Sequence, residues 1–208
     1  LVIDAGANVG VAAAFFLTEC QAGRVLSFEP VPAIYEMLVE NLKNLPGAST
    51  YEFGLSDSEG SVEFTYYEGA AAMSSRYAMP VRDHETVKSV LLDMGLSDQQ
   101  AETRLEGDFD PQTVSCRLRT LSSVIAEEAI DRVDLLKIDV ERAELDVLRG
   151  IEPGHWPAIW QVVAEVHDEG DRLAEIRRLL KSKGFGIHLG QEDNMRSTDV
   201  FVLYASRT

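Results

Sequence analysis

The sequence predicts an α/β fold in which a mostly parallel sheet carries helices on both faces. Three observations predict it. The chain opens on an apolar strand pattern, a glycine turn and an apolar helix pattern. Strand and helix patterns then alternate along most of its length. Residues 159–166 form a near-continuous apolar run, the mark of a strand buried on both faces.

Taken in order, residues 1–3 are apolar and lead into Asp4, Gly6-Ala7-Asn8-Val9-Gly10 and the apolar stretch 11–17. Residues 24–29 repeat the strand pattern through Val25, Leu26 and Phe28. Pro30 and Pro32 then open a helix in which Ile34, Leu38 and Leu42 recur every four residues. A third strand is expected over 50–55, and an alternating fourth over 62–66 after Ser58-Glu59-Gly60. From residue 68 to about 112 the composition turns polar. Helices are expected there at 84–94 and 97–105, the second with Ser97 as N-cap and Gln100 in the capping-box position. A connection this long inside a compact domain is usually functional. The expectation is therefore one domain over 1–208 with a lid-like insertion at about 68–112. Alternation resumes with a strand at 114–118, a helix face of Leu121, Val124, Ile125 and Ala129, and a strand at 133–138. Ala143, Val147 and Leu148 mark the next helix, and Leu173, Ile176, Leu179 and Leu180 stripe another that ends at Gly184. Strands at 185–189 and 199–204 read as an antiparallel pair.

Composition narrows the function. Of 208 residues, 45% are apolar and 26% charged, an ordinary globular balance. A net charge of −16 repels phosphate backbones and anionic lipid, so neither nucleic acid nor membrane is expected as a partner. Cys20 and Cys116 are too few for a disulfide scaffold or a cysteine-built zinc site. No apolar run approaches the roughly 18 residues of a membrane span, and no signal peptide opens the chain. Leu1 already stands inside a strand pattern, so a domain cut from a longer cytoplasmic chain is expected.

Charged residues gather where strands end. Gly6 and Gly10 allow a tight turn whose helix-start amides face outward as donors. Their Gly-x-x-x-Gly spacing, with Asn8 between, is not the Gly-x-Gly-x-x-Gly of dinucleotide sites. Asp4 would repel a pyrophosphate and suits an amine or sulfonium. Glu29 closes the second strand 19 residues after Gly10, where a carboxylate accepts both hydroxyls of a ribose. Asp57 follows the third strand within reach of an adenine amino group. Lys137 and Asp139 share a face at the end of another strand, as do Glu165 and His167. His167, near neutral in its ordinary pKa, suits proton transfer. Glu141 and Glu144 lie in a first helical turn, where the macrodipole by itself favours acids. His84, His155 and His188 have no such company and receive no role.

In this order, Val2-Ile3-Asp4-Ala5-Gly6-Ala7-Asn8-Val9-Gly10, Phe28-Glu29-Pro30, Leu136-Lys137-Ile138-Asp139-Val140-Glu141 and Glu165-Val166-His167 resemble the FkbM family of S-adenosylmethionine-dependent methyltransferases. The resemblance implies the class I methyltransferase sheet, Rossmann-like, with six parallel strands and one antiparallel strand near the end. It implies O-methylation in natural-product, sugar or lipid pathways. By position, Asp4, Gly6, Ala7, Asn8 and Gly10 would line the methionine part of the cofactor, Glu29 would hold the ribose and Asp57 the adenine. Lys137 to Glu144 and Glu165 to His167 would face the methyl group and the acceptor. The family commonly has Gly where this chain has Arg142, a guanidinium expected to narrow or charge the acceptor side. Residues 64–67, Met73-Ser74-Ser75-Arg76-Tyr77 and the insertion look similar to members embedded in modular polyketide or nonribosomal peptide synthases, which implies a carrier-tethered hydroxyl acceptor and neighbouring synthase domains.

Methyl transfer from a sulfonium needs alignment of oxygen, carbon and sulfur, and a group that takes the hydroxyl proton. His167 is the expected base, oriented by Glu165 or Asp139, with Lys137 beside it. The competing expectation is a divalent cation held by Asp139, Glu165 and His167. Met73, Tyr77 and Met79 are the expected apolar contacts to the acceptor. The rival classes are a nicotinamide-dependent oxidoreductase and a non-catalytic docking domain; a free-standing sugar or lipid O-methyltransferase is the rival within the class.

Overall fold

The computed structural model describes residues 1–191 and 193–207. The first half of the main sheet consists of β1 (Val2–Ala5), β2 (Val25–Phe28) and β3 (Ala48–Tyr51), parallel and joined by α1 (Val11–Thr18) and α2 (Pro32–Leu42). The second half contains β7 (Leu135–Ile138), β8 (Gln161–His167), β9 (Phe185–Gly190) and β10 (Val200–Arg207), with α6 (Glu144–Arg149) and α7 (Arg172–Ser182) between them. Among the described residues the strand order is β3-β2-β1-β7-β8-β10-β9, and β10 runs antiparallel to both neighbours. The expected seven-stranded, mostly parallel sheet is present, with its one reversed strand near the end.

Alternation divides the core. Val2 and Val25 pack with Ala13, Leu38 and Leu42 of α1 and α2 on one face. Ile3, Leu26 and Leu136 point to the other, against Val147, Leu148, Ile176 and Leu180 of α6 and α7. Strands buried on both faces need continuous apolar sequence, and β1 and β2 are buried at every position.

Register sets the site. Ala5 pairs with Phe28 on one side and Ile138 on the other. One step further, Gly6, Glu29 and Asp139 therefore emerge side by side at the carboxyl edge. The chain leaves β1 towards β2 and returns beyond it at β7, so this edge is the topological switch point where open α/β sheets bind ligands.

The sequence reading merged two strands. Instead of one strand over 50–55, β3 stops at Tyr51 and β4 (Gly54–Ser56) belongs to a second sheet. The break occurs where Phe53 turns inward to pack its ring 5.4 Å from Phe28, while Tyr51 stacks on Phe28 at 4.8 Å. The second sheet, order β4-β6-β5, adds β5 (Gly60–Tyr67) and β6 (Pro111–Thr120), which leads into α5 (Leu121–Glu127).

Between β5 and β6 lie a short 3-10 turn, Ala71–Met73, and the helices α3 (Pro80–Asp93) and α4 (Asp98–Leu105). The Ser97–Gln100 capping box forms at the start of α4. Asp83, fully buried in α3, anchors this segment. It accepts from the Met79 amide at 2.8 Å and the Tyr67 hydroxyl at 3.0 Å, and pairs with the Arg142 guanidinium at 2.7 Å. Arg142 also meets Glu169 at 2.7 Å, which Arg82 of α3 reaches at 3.0 Å. The expectation that Arg142 charges the acceptor side is thus corrected: its side chain is buried and turned towards the insertion. Arg142 and Glu141 have φ of 72° and 47°, a left-handed corner of the kind that favours glycine.

Removing one member of a buried pair leaves an uncompensated charge. Asp83→Ala is expected to lower unfolding free energy by about 3 kcal/mol, read as an earlier urea midpoint. A loss below about 1 kcal/mol would mean that Glu169 alone satisfies Arg142.

Candidate active site

A cleft opens at the carboxyl edge of β1, β2 and β7, enclosing about 620 Å³ of free space, part of it open to solvent. Gly6, Asn8, Glu29, Asp139 and Glu141 line its sheet side. Gly54, Leu55 and Ser56 of β4 form one end, and Ser74 and Arg76 of the insertion form a wall.

The glycine turn is sterically required. Gly6 has φ +75°, and a Cβ there would lie 1.8 Å from the Asp139 carbonyl oxygen. Gly10, at φ +91°, is the N-cap of α1 and packs on Leu38 and Leu42. Between them the Asn8 amide donates to Glu29 Oε2 at 3.1 Å, and the Val31 amide donates to Oε1 at 2.9 Å. The two amides hold the Glu29 carboxylate at the strand tip in one orientation. Burial pushes its pKa up to about 7, and the same two amides limit the rise.

Beneath the turn, Lys137 Nζ lies 3.0 Å from Asp4 Oδ1 and 3.3 Å from Asp139 Oδ2, and donates to the Gly6 carbonyl at 3.0 Å. Asp4 is fully buried, and burial raises its pKa against the pull of Lys137. Burial alone would lower the Lys137 pKa, but Asp4 and Asp139 together raise it. The sequence-derived placement of Asp4 on the cleft wall is therefore corrected: it supports the wall from below through Lys137. Ala7 likewise packs into the core beside α1, and Gly10 serves the helix start. Asp57 accepts from the Ser56 and Ser58 hydroxyls and lies outside the cleft lining, where Ser56 stands in its place.

At the rim, the carboxyl end of β8 meets the corner between β7 and α6. His167 is buried, with Nδ1 3.0 Å from Glu144 Oε1 and Nε2 3.2 Å from Glu141 Oε2. Burial works to lower the His167 pKa, but the two carboxylates overcome it and raise it to about 10. The two carboxylates thus make the ring more basic, in the sense the sequence reading expected of a neighbouring acid. Glu141 and Glu144, to which the sequence reading gave no such role, stand against its two ring nitrogens. Asp139 belongs to the Lys137 group. Glu141, Glu165 and His167 instead bring one ligand atom each to within 4.8 Å of one another, where the sequence reading had named Asp139 in place of Glu141.

The expected acceptor contacts also change. Met73 faces the groove between the 3-10 turn and α3 and α4, Tyr77 donates to Asp146 at 2.9 Å, and Met79 is exposed. Arg76 reaches the cleft instead, donating to Ser56 Oγ at 3.1 Å and pairing with Asp146 at 3.2 Å. Sequence reasoning gave Ser56, Ser74 and Arg76 no role in the cleft, and carried Glu141 and Glu144 only within the Lys137 to Glu144 block, with the helix dipole as their competing explanation. The one available signal was two acids flanking a residue that replaces the family's glycine.

Residues 4–187 match the methyltransferase FkbM domain. The chain belongs to the FkbM methyltransferase family. It is 34% identical over 221 residues to the AMB antimetabolite synthetase AmbE of Pseudomonas aeruginosa, covering all of this chain but 10% of that protein. It is 33% identical over 210 residues to the 31-O-demethyl-FK506 methyltransferase FkbM of Streptomyces tacrolimicus, covering all of this chain and 81% of that enzyme. A methyltransferase FkbM from Methylobacillus flagellatus superposes with a TM-score of 0.61 at 13% identity, over 98% of this chain and 42% of that one, and shares the fold. Family membership decides for a methyltransferase that uses S-adenosylmethionine, and against nicotinamide chemistry. The residues present fit that cofactor: a carboxylate fixed at the β2 tip, a turn with no room for a Cβ, and a switch-point cleft between them.

The Glu29 pKa gives a pH dependence with two opposite signs. In the free protein its stabilising contribution is complete below the unfolded value of 4.5 and is lost as pH rises to about 7. Hydroxyl groups bind the ionised form, so adenosyl affinity is expected to rise with pH up to about 7 and then level off. Calorimetric titration with S-adenosylmethionine between about pH 5.5 and 8.5 checks this, and Glu29→Gln should flatten the profile.

Proposed function

We propose that this domain transfers the methyl group of S-adenosylmethionine to a hydroxyl oxygen of a natural-product intermediate, held by a carrier domain of a larger cytoplasmic synthase. The observation that carries the reading is the cleft built on Glu29, Gly6 and Asp139, with Glu141 on the wall facing His167. The whole of this chain matches a tenth of a synthetase, which supports a place inside an assembly. Relatives named for O-methylation support oxygen as the target.

When bound, the cofactor supplies a methyl group on a positively charged sulfur. Glu29 would accept from the ribose hydroxyls, its orientation already set by the Asn8 and Val31 amides. The turn at Gly6 and Asn8 and the Asp139 carboxylate would hold the methionine end. Lys137 holds Asp139 in place, and the excess of carboxylates over ammonium at this edge favours a cation. Arg76, fixed on the far wall through Ser56 and Asp146, and Ser74 beside it would narrow the entry and align the acceptor. The hydroxyl proton leaves on the side of Glu141 and Glu165.

A second reading is a free-standing sugar or lipid O-methyltransferase, and the 81% coverage of the Streptomyces tacrolimicus enzyme favours its free-standing part alone. One assay separates the two. Hydroxylated acceptors, free and loaded on a carrier domain, are incubated with methyl-labelled cofactor, and the products are read by mass spectrometry. Label on oxygen, formed at least about tenfold faster from the carrier-loaded acceptor, is the expected result. Label on nitrogen or carbon, or cofactor binding without turnover on any hydroxyl, would overturn the proposal.

A further inference from the structure

We infer that Glu141, Glu165 and His167 form a binding site for one first-row divalent cation, placed at the rim of the methyl-transfer cleft. The inference rests on the methyl-transfer reading only for what the ion does there. The site itself stands on geometry.

The His167 ring is held as a metal-ligating imidazole is held. Nδ1 makes an aligned hydrogen bond to Glu144 Oε1 at 3.0 Å, and the same oxygen accepts from the Arg142 amide at 2.9 Å. A carboxylate behind the ring fixes its orientation, and a cation bound in front of it displaces the Nε2 proton. In front of the ring, Glu141 Oε2 is buried and ion-paired with Nε2 at 3.2 Å. That separation is shared by an ion pair and by a ligand pair. It is ordinary for two ligands of one ion, which stand about 3 Å apart when each bond is about 2.1 Å.

Glu165 completes the set, since its ligand atom lies within 4.8 Å of the other two. Two ligands on opposite sides of one ion are about 4.2 Å apart, so modest side-chain movement closes the cluster around a cation. Its members come from two different elements: Glu165 and His167 from β8, and Glu141 from the left-handed corner after β7. Glu141, Glu144 and Glu165 put three carboxylates around one imidazole, with Arg172 4.0 Å from Glu144. A cation balances that charge. One imidazole with two carboxylates suits manganese or iron better than calcium, which prefers oxygen throughout.

Glu141 also lines the cleft, so the ion would stand beside the methyl donor. A hydroxyl oxygen bound to it becomes more acidic and loses its proton to water at the rim. The oxygen lone pair then forms the O–CH3 bond, the CH3–S bond breaks, and its electron pair neutralises the sulfonium to a thioether.

The test uses manganese as probe. Chelator-treated wild-type protein is titrated with manganese chloride, and free ion is read from its aqueous paramagnetic resonance signal. One ion per chain is expected, with affinity at least about tenfold weaker in Glu165→Gln and in Glu141→Gln. Circular dichroism monitors folding, and S-adenosylmethionine affinity of Glu165→Gln should stay unchanged. No saturable binding by wild type, or equal binding in both variants, would overturn the site. Where hydroxyl methylation is observed, chelator should lower its rate about tenfold or more and manganese restore it. A rate indifferent to chelator in protein that binds no manganese overturns the site and leaves the methyltransferase reading intact. Saturable binding that both variants weaken, in protein that methylates no hydroxyl, supports the site and overturns the reading of function instead.

Discussion

The Lys137 ammonium is the interaction on which the cleft depends. It sits under the switch point between β1 and β7, shared among Asp4, Asp139 and the Gly6 carbonyl. Each contact ties together a different part of the site: the first strand, the β7 tip and the glycine turn. Buried charges are tolerated only when they compensate one another, and neither Asp4 oxygen has a hydrogen bond apart from this ion pair. Without the ammonium, two carboxylates at adjacent strand ends would repel, and the turn would lose the group that holds its carbonyl.

From that centre the chain sends opposite charges in opposite directions. At the left-handed corner after β7, Glu141 turns to the cleft and His167, while Arg142 turns to Asp83 and Glu169. A backbone conformation that normally asks for glycine is here paid for by two ion-pair networks, one towards the chemistry and one towards the insertion. The same corner therefore couples the position of α3 to the position of Glu141. Tyr67, Met79 and Arg82 extend the link through Asp83 and Glu169 into the inserted segment.

Much of this was legible in the residues. Apolar continuity announced β1, β2 and β8, and the capping box at Ser97 announced α4. Glu29 and the Gly6 turn were readable because strand–turn–helix geometry is local, and local geometry follows from nearby sequence. Other features were not legible. The break at Phe53 depends on a ring packing against Phe28, which no periodicity of residues 50–55 records. Glu144 looked like a dipole-favoured acid, and only the approach of β8 makes it a partner of His167. Asp4 looked like a wall residue because a strand tip and its underside read alike in sequence.

The sequence by itself determined the fold class, the family, the carboxylate at the β2 tip and the need for glycine in the first turn. These follow from alternation, spacing and the steric limits of single residues. Tertiary structure alone decided which charges meet. Lys137 and Asp4 lie 133 residues apart, Asp83 and Arg142 59, and Glu141 and His167 26. Strand register and the path of the insertion bring them together, and electrostatic pairing depends on distance in space, which a linear order of residues does not encode.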